Sequence, residues 1–242
     1  MMSLSNLEVI AYLPPMNYIV FDIETAPLPE EQIASMIPPF DEAEVKVGNI
    51  KDPALIAEKI AKAKEKHISD FIDKAALSAV SGRICAIGYK FDRGHEIHAS
   101  AEPEGEAGIL THFWKVYVDC VTGHGQTQMI GHNIFDFDLP FIIHRSWALG
   151  IAIPPGVFSI RGRYPNWSDA FQDTRVLFML GKKEGKSSLD TLSRFFGFDG
   201  KDETGKHFHL WLKDDPEKAK DYLLKDLELT EAIARKMGAI LK

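Results

Sequence analysis

Two carboxylates sit inside a stretch that otherwise reads as a buried strand. The segment YIVFDIETAP, residues 18–27, is apolar at Tyr18, Ile19, Val20, Phe21 and Ile23, yet it carries Asp22 and Glu24. In a strand, residues i and i+2 share a face, so the two acids project together. Burying an unpaired carboxylate is costly even after the surroundings relax. No Lys or Arg lies within the strand to offset the charge. A divalent cation would, because paired carboxylates are preferred ligands of Mg²⁺ and Mn²⁺. The plainer alternative is one hydrogen-bonded buried acid and one exposed at the strand end, and this stretch alone leaves both open.

Two further stretches carry acids in suggestive places. GHNIFDFDLPFI (131–142) runs from a short strand into a helix, with Asp138 at the helix start, where acids also serve as caps. DYLLKDLELTEAIARKM (221–237) is a helix in which Tyr222 and Asp226, four apart, fall on one face. A Tyr–Asp pair at that spacing is common by chance.

Taken in order, the three stretches resemble the three motifs of the DEDD superfamily, the RNase H-like 3′–5′ exonucleases. Asp22-Ile23-Glu24 matches its D-x-E on the first strand. Asn133 through Phe137-Asp138 matches its Asn-x₃-Phe-Asp. Tyr222 to Asp226 matches the Tyr-x₃-Asp of one branch, and Asp221 stands where the other branch has a His. The wording of the second motif is most similar to the proofreading domain of family B DNA polymerases.

The resemblance spans residues 18 to about 237. It implies one exonuclease domain over 1–242, with an insertion at 28–81 and no polymerase domain attached. It implies a fold of RNase H-like type: an α/β mixed sheet flanked by helices. Asp22, Glu24, Asp138 and Asp226 would hold two Mg²⁺ or Mn²⁺ ions. Tyr222 would orient or help deprotonate the attacking water. Thr25, Asn133, Phe137 and Lys186 would contact the substrate, a single-stranded 3′ end, DNA rather than RNA. The product would be a nucleoside 5′-monophosphate. The alternatives are an exoribonuclease of the same branch, or a nucleic-acid-binding module without catalysis. Thr25 also reads as a strand edge, Asn133 as a turn former, and Phe137 as a core residue.

The elements that must position these residues follow from patterning. Asp52-Pro53 is an N-cap followed by Pro at the first helical position. Ile56, Ile60, Ala63, His67, Phe71 and Ala75 then recur every three or four residues, the stripe of an amphipathic helix. Its stripe suggests that the insertion packs on the body near the end of the first strand and shapes access for the 3′ end. Strands are expected at 82–91, 95–101 and 128–133, with a hairpin across 92–94. Helices are expected at 106–121, 138–150, 187–197 and from Asp215-Pro216 to about Met237. Residues 151–172 read as loop-rich, 173–180 as strand or helix, and the polar, Gly-containing stretch before Asp215 as loop.

Composition narrows the class further. The chain has 242 residues, 45% hydrophobic and 26% charged, enough for a sizeable core. No apolar run reaches the roughly 20 residues of a membrane span. The opening MMSLSNLEVIAYLPP lacks the basic and apolar regions of a signal peptide, so a cytoplasmic setting is expected. Net charge is −7, which argues against a protein that coats nucleic acid. Positive residues gather between 145 and 194, including Arg145, Arg175, Lys182, Lys183 and Lys186, so a local basic surface is compatible with an acidic site. GKKEGKSS (181–188) has three residues between its glycines where a P-loop needs four. His124, His132 and His144 lack a ligand-like spacing, and Cys85 and Cys120 form no CxxC, so structural zinc is not expected.

Overall fold

The structure, a computed structural model, describes residues 18–240 except 93, 124–126, 162, 183, 184, 186 and 202. Strand β1 (Tyr18–Pro27) lies at the centre of a five-stranded sheet ordered β3-β2-β1-β4-β7. β2 (Gly82–Phe91) pairs antiparallel with β1, and β3 (Gly94–Ala99) pairs antiparallel with β2. β4 (Gln128–Gly131) runs parallel to β1, and β7 (Phe171–Asp173) parallel to β4. The sheet is therefore mixed, with helices on both faces: an α/β, RNase H-like architecture.

The alternation of β1 decides which residues meet which helices. Phe21 and Ile23 enter a core shared with α3 (Glu106–Thr122) and α4 (Asp138–Ala148), through Phe113, Tyr117, Leu139 and Ile142. Val20 and Ala26 face the other way, into a core formed with α7 (Phe208–Asp214) and α8 (Pro216–Lys236), through Phe208, Leu223 and Leu227. Asp22 and Glu24 share the α8 parity. Opposite Asp22 on β2 stands Gly88. A Cβ there would lie 2.8 Å from Leu227 and 2.9 Å from Leu223. The missing side chain lets α8 settle against the sheet and carries Asp226 to the acids of β1.

The insertion is tied at its base. Leu28 N donates to Ser81 O at 2.9 Å, and Pro27 pairs with Gly82, so the segment leaves and re-enters at one point. It contains α1 (Glu30–Ala34) and α2 (Pro53–Ala75). The Asp52 side chain caps α2 by accepting from Ala54 N at 2.9 Å. The expected stripe is the less exposed face. Its C-terminal end, Phe71 and Ala75, packs with Leu28 and Ile33 just beyond β1. Its middle packs on the insertion's own loop, where His67 meets Phe40 and the Pro38 carbonyl.

The structure refines three expectations. Residues 151–172 are not simply loop: β5 (Phe158–Arg161) and β6 (Tyr164–Trp167) form a separate antiparallel hairpin, and β7 begins at Phe171. Residues 173–180 are mainly helical. β7 ends at Asp173, whose side chain then caps α5 (Thr174–Met179) by accepting from Arg175 N and Val176 N. The polar stretch before Asp215 contains α7, after α6 (Leu189–Phe195) has ended. Asp215 caps α8 through Lys218 N at 3.2 Å, as its sequence signal indicates. No described helix is long and apolar enough to cross a membrane.

Candidate active site

β1 and α8 bring together carboxylates far apart in sequence. Asp22, Glu24 and Asp226 offer ligand atoms that all lie within 4.8 Å of one another. Asp138 is not in that set. It sits at the first turn of α4, 3% exposed, and its Oδ1 accepts from Ile23 N at 3.3 Å. It still acts electrostatically on Asp22 and Glu24. The four acids thus form a triad with a fourth carboxylate behind the β1 backbone.

The charges are under-compensated. Burial pushes the Asp22 carboxyl up to about 7, with Asp226 adding to the rise. Glu24 rises by burial and by the charges of Asp22 and Asp226. Asp138 rises by burial and then by Asp22, and Asp226 rises by burial. The donor set is all oxygen, as Mg²⁺ and Mn²⁺ prefer. Asp226 Oδ1 is buried with no hydrogen-bond partner, although Asp226 is only 4% exposed. An orphaned buried carboxylate oxygen facing two further acids suits a divalent cation.

One positive charge does reach the cluster, and the strand-centred reading missed it. Lys201, from the loop after α6, places Nζ 2.5 Å from Asp226 Oδ2. Its own backbone N donates to Asp190 Oδ1 on α6 at 2.9 Å, which anchors the loop. Lys201 also lies 4.9 Å over the ring of Tyr222.

Tyr222 packs its ring against Trp211 and Phe208 of α7. Burial, then Asp226, Glu24 and Asp22, drive its hydroxyl far above the ordinary tyrosine range. It is a neutral phenol over the whole working pH range. Above it passes Gly205. A Cβ there would stand 3.1 Å from both Glu24 Oε2 and Tyr222 Oη. The glycine leaves open the space where the hydroxyl and the carboxylate converge.

A cleft of about 630 Å³ opens from Asp22 and Asp226 past Lys201 to His132, Asn133 and Arg175. Its far wall is pinned by polar contacts. Asn133 adopts a left-handed backbone, φ 66°, at the turn leaving β4. Asp173 holds that turn by accepting from Asn133 N at 3.0 Å and Phe135 N at 2.9 Å. Arg175 Nη1 donates to Asn133 Oδ1 at 2.5 Å and to Asp136 Oδ2 at 2.9 Å. His132 bridges Thr174 Oγ1 at 3.0 Å and the Ser187 carbonyl at 2.9 Å, and burial lowers its pKa, so it stays neutral.

Among the expected substrate contacts that are described, Asn133 lines this cleft and Thr25 and Phe137 do not. Thr25 is half-buried at the point where the β1–β2 register slips. Phe137 is half-buried and packs on Phe141 and the α3–α4 core, a structural position. Lys186 lies outside the described residues, as do Lys183 and His124. Of the positive residues between 145 and 194, Arg145 is buried against Glu106 and offers nothing to a ligand. Lys201, Asp173 and Gly205 went unnoticed in the sequence, and Arg175 was read there only as part of the basic stretch 145–194. Only the cap signal of Asp173-Thr174 could have flagged any of them.

No family model and no curated protein matches this sequence. Among solved structures, the fold is similar to the family B DNA polymerase from the hyperthermophilic archaeon Pyrobaculum calidifontis. The TM-score is 0.58 with 15% sequence identity, over 93% of this chain and 25% of that one. The chain thus spans about a quarter of that polymerase's length, and the likeness is one of fold.

Proposed function

We propose that this chain is a divalent-metal-dependent 3′–5′ exonuclease that removes nucleoside 5′-monophosphates from the 3′ end of single-stranded DNA. The observation that carries the reading is the convergence of Asp22, Glu24 and Asp226, with Asp138 beside them, at the end of an open cleft under one tyrosine hydroxyl. A fold similar to a chain of a DNA polymerase agrees with it.

In this reading Asp22, Glu24, Asp138 and Asp226 hold two Mg²⁺ or Mn²⁺ ions. Bound there, the ions would acidify the attacking water and offset charge on the leaving 3′ oxygen. The protein's own groups do the rest. Tyr222, kept as a phenol, orients the water by hydrogen bonding and is not its base. Lys201 balances Asp226 and presents positive charge to a phosphate in the cleft. Asn133, locked by Arg175 and Asp173, gives that cleft a rigid polar wall. Binding groups already held in place lose little freedom when a substrate arrives.

The test is direct. 5′-Labelled DNA and RNA oligonucleotides are incubated with Mg²⁺, Mn²⁺ or EDTA and the products resolved by length. The expected result is a ladder shortening from the 3′ end, metal-dependent and faster on DNA. No shortening, internal cutting, or cleavage that persists in EDTA would overturn the assignment. Preference for RNA would make it a ribonuclease of the same chemistry.

A further inference from the structure

On the opposite face of the sheet from Asp226 lies a second cluster of ligating side chains. Glu96 and His98, two apart on β3, share a face. They pair with Tyr89 and Ile87 of β2, both of which point into the α3 core. They therefore lean toward α3, which contributes His112. Glu96 Oε1 is 2.5 Å from His98 Nε2 and 3.6 Å from His112 Nε2. The imidazoles are stacked, with ring centres 3.6 Å apart and planes 23° apart. All three ligand atoms lie within 4.8 Å of one another.

A surface His–Glu hydrogen bond with a neighbouring ring is the ordinary account of such a group. It leaves one fact unexplained. His112 Nε2 is buried and has no hydrogen-bond partner, although it faces the shared carboxylate. A neutral imidazole is the form that ligates a metal.

We infer that Glu96, His98 and His112 form a binding site for a transition-metal dication of the Zn²⁺ class. Two imidazoles and one carboxylate, with one position left for water, make a donor set that Zn²⁺ takes with bonds of about 2.0–2.2 Å. Tetrahedral bonds of that length put ligand atoms about 3.4 Å apart. The observed 2.5 and 3.6 Å bracket that value, and seating an ion would swing the two stacked rings apart so that both lone pairs point at it. The nitrogen ligands exclude Mg²⁺ and Ca²⁺ as natural occupants. Entry is open, since the three side chains are 45%, 31% and 24% exposed. A pocket shared by Glu96, His112 and Asp119, of about 340 Å³, adjoins the group and offers a further carboxylate. A metal here would clamp edge strand β3 to α3.

Purified full-length chain, stripped with chelator, is titrated with Zn²⁺ against a chromophoric indicator in millimolar Mg²⁺, which occupies all-oxygen sites. One equivalent should bind at micromolar affinity or tighter, raise the melting temperature, and shift the His98 and His112 imidazole NMR signals. His112→Ala, and separately Glu96→Gln, should weaken binding by at least about 10-fold. Asp22→Asn should leave it unchanged. Should His112→Ala misfold, His98→Ala on the exposed edge serves in its place. Binding weaker than micromolar, or binding indifferent to all three substitutions, overturns the site. Oligonucleotide cleavage in Mg²⁺ should be the same with and without Zn²⁺ in His98→Ala, so failure here is separable from failure of the nuclease reading.

Discussion

Two buried charge clusters in this molecule are balanced in opposite ways. Glu106, 2% exposed at the first turn of α3, meets Arg145, 8% exposed near the end of α4. Arg145 Nε and Nη2 donate to the two Glu106 oxygens at 2.9 and 2.7 Å, and Ile84 N adds a third bond at 2.8 Å. One acid has one base, and both Glu106 oxygens accept hydrogen bonds. At the sheet's centre, among the described residues, four acids meet Lys201 in a salt bridge to Asp226 Oδ2, while Asp226 Oδ1 is buried with no hydrogen-bond partner. The first arrangement joins α3, α4 and β2. The second stores repulsion that an added cation, or protonation, relieves. Buried charge that supports a fold is satisfied within the chain, and buried charge reserved for a ligand is not.

The sharpest way to break the contrast is to remove one charge from each cluster. Asp22→Asn and Asp226→Asn should each cut hydrolysis by more than about 10⁴-fold, over 5 kcal/mol of barrier, while the metal-free protein melts no lower than before. Activity with Mg²⁺ and melting by circular dichroism report both halves. Arg145→Met should do the reverse. Stranding Glu106 should cost about 3–5 kcal/mol of stability, measured by urea unfolding, and the turnover of the folded fraction should be unaltered. A tolerant Arg145 or a fragile Asp22 would mean that the clusters have been assigned the wrong way round.

Tyr222→Phe removes a hydroxyl that hydrogen-bonds Asp226 but is not itself a ligand. Orienting groups contribute typically about 10²–10⁴-fold, so a partial loss of about 10–10³-fold in turnover is expected. Mn²⁺ affinity should not change. Weakened Mn²⁺ binding, or full activity, would reassign Tyr222 to the aromatic packing it makes with Trp211 and Phe208.

Stability against pH should also separate the two clusters. The Asp22 carboxyl lies near 7 in the fold against an ordinary 3.8, and Glu24, Asp138 and Asp226 shift the same way, with Lys201 opposing. An acid raised on folding binds more protons folded than unfolded, so its contribution is fully present below the ordinary value and is lost as pH climbs through the raised one. Metal-free protein should therefore lose stability between about pH 4 and 7, over the window those carboxyls define. Saturating Mn²⁺, or Asp22→Asn, should flatten that slope. A slope that rises with pH in metal-free protein would contradict the picture.

How far the sequence foretold these clusters depends on where each partner sits. Asp22, Glu24, Tyr222 and Asp226 lie on long regular elements, whose periods of two and 3.6 make shared faces readable. Lys201 comes from FDGKDETGK, a polar loop with no period, and its placement depends on Asp190 receiving its backbone. The helix Phe208–Asp214 is too short for a stripe. The β5–β6 hairpin carries Pro165, which a central strand would not tolerate but a separate two-stranded ribbon does. His98 and His112 are separated by a loop and part of a helix, so only the approach of α3 to the sheet edge pairs them. The insertion's cap and stripe were legible, whereas its return to Ser81 was not, because the backbone bond that closes it carries no side-chain signal.

The smallest expected effect probes the empty space between Glu24 and Tyr222. Gly205→Ala adds one methyl group. Its carbon would lie 3.1 Å from both Glu24 Oε2 and Tyr222 Oη, closer than ordinary contact, so one of the two must move by a few tenths of an ångström. The loop is held at Lys206 by Asp73 of the insertion helix at 2.9 Å and at Lys201 by Asp226, so it cannot simply lift away. A displaced hydroxyl should lower turnover about 3–10-fold, a fraction of what Tyr222→Phe costs. A displaced carboxylate should instead weaken Mn²⁺ affinity. Combining Gly205→Ala with Tyr222→Phe distinguishes the two routes, since effects acting through one group are not additive. If the double variant is no slower than Tyr222→Phe alone, the methyl group acts on the hydroxyl. If the losses multiply, it acts on Glu24. If Gly205→Ala alone matches wild type in turnover and in Mn²⁺ binding, the glycine does not guard that space, and the convergence of Glu24 and Tyr222 beneath it is looser than these distances imply.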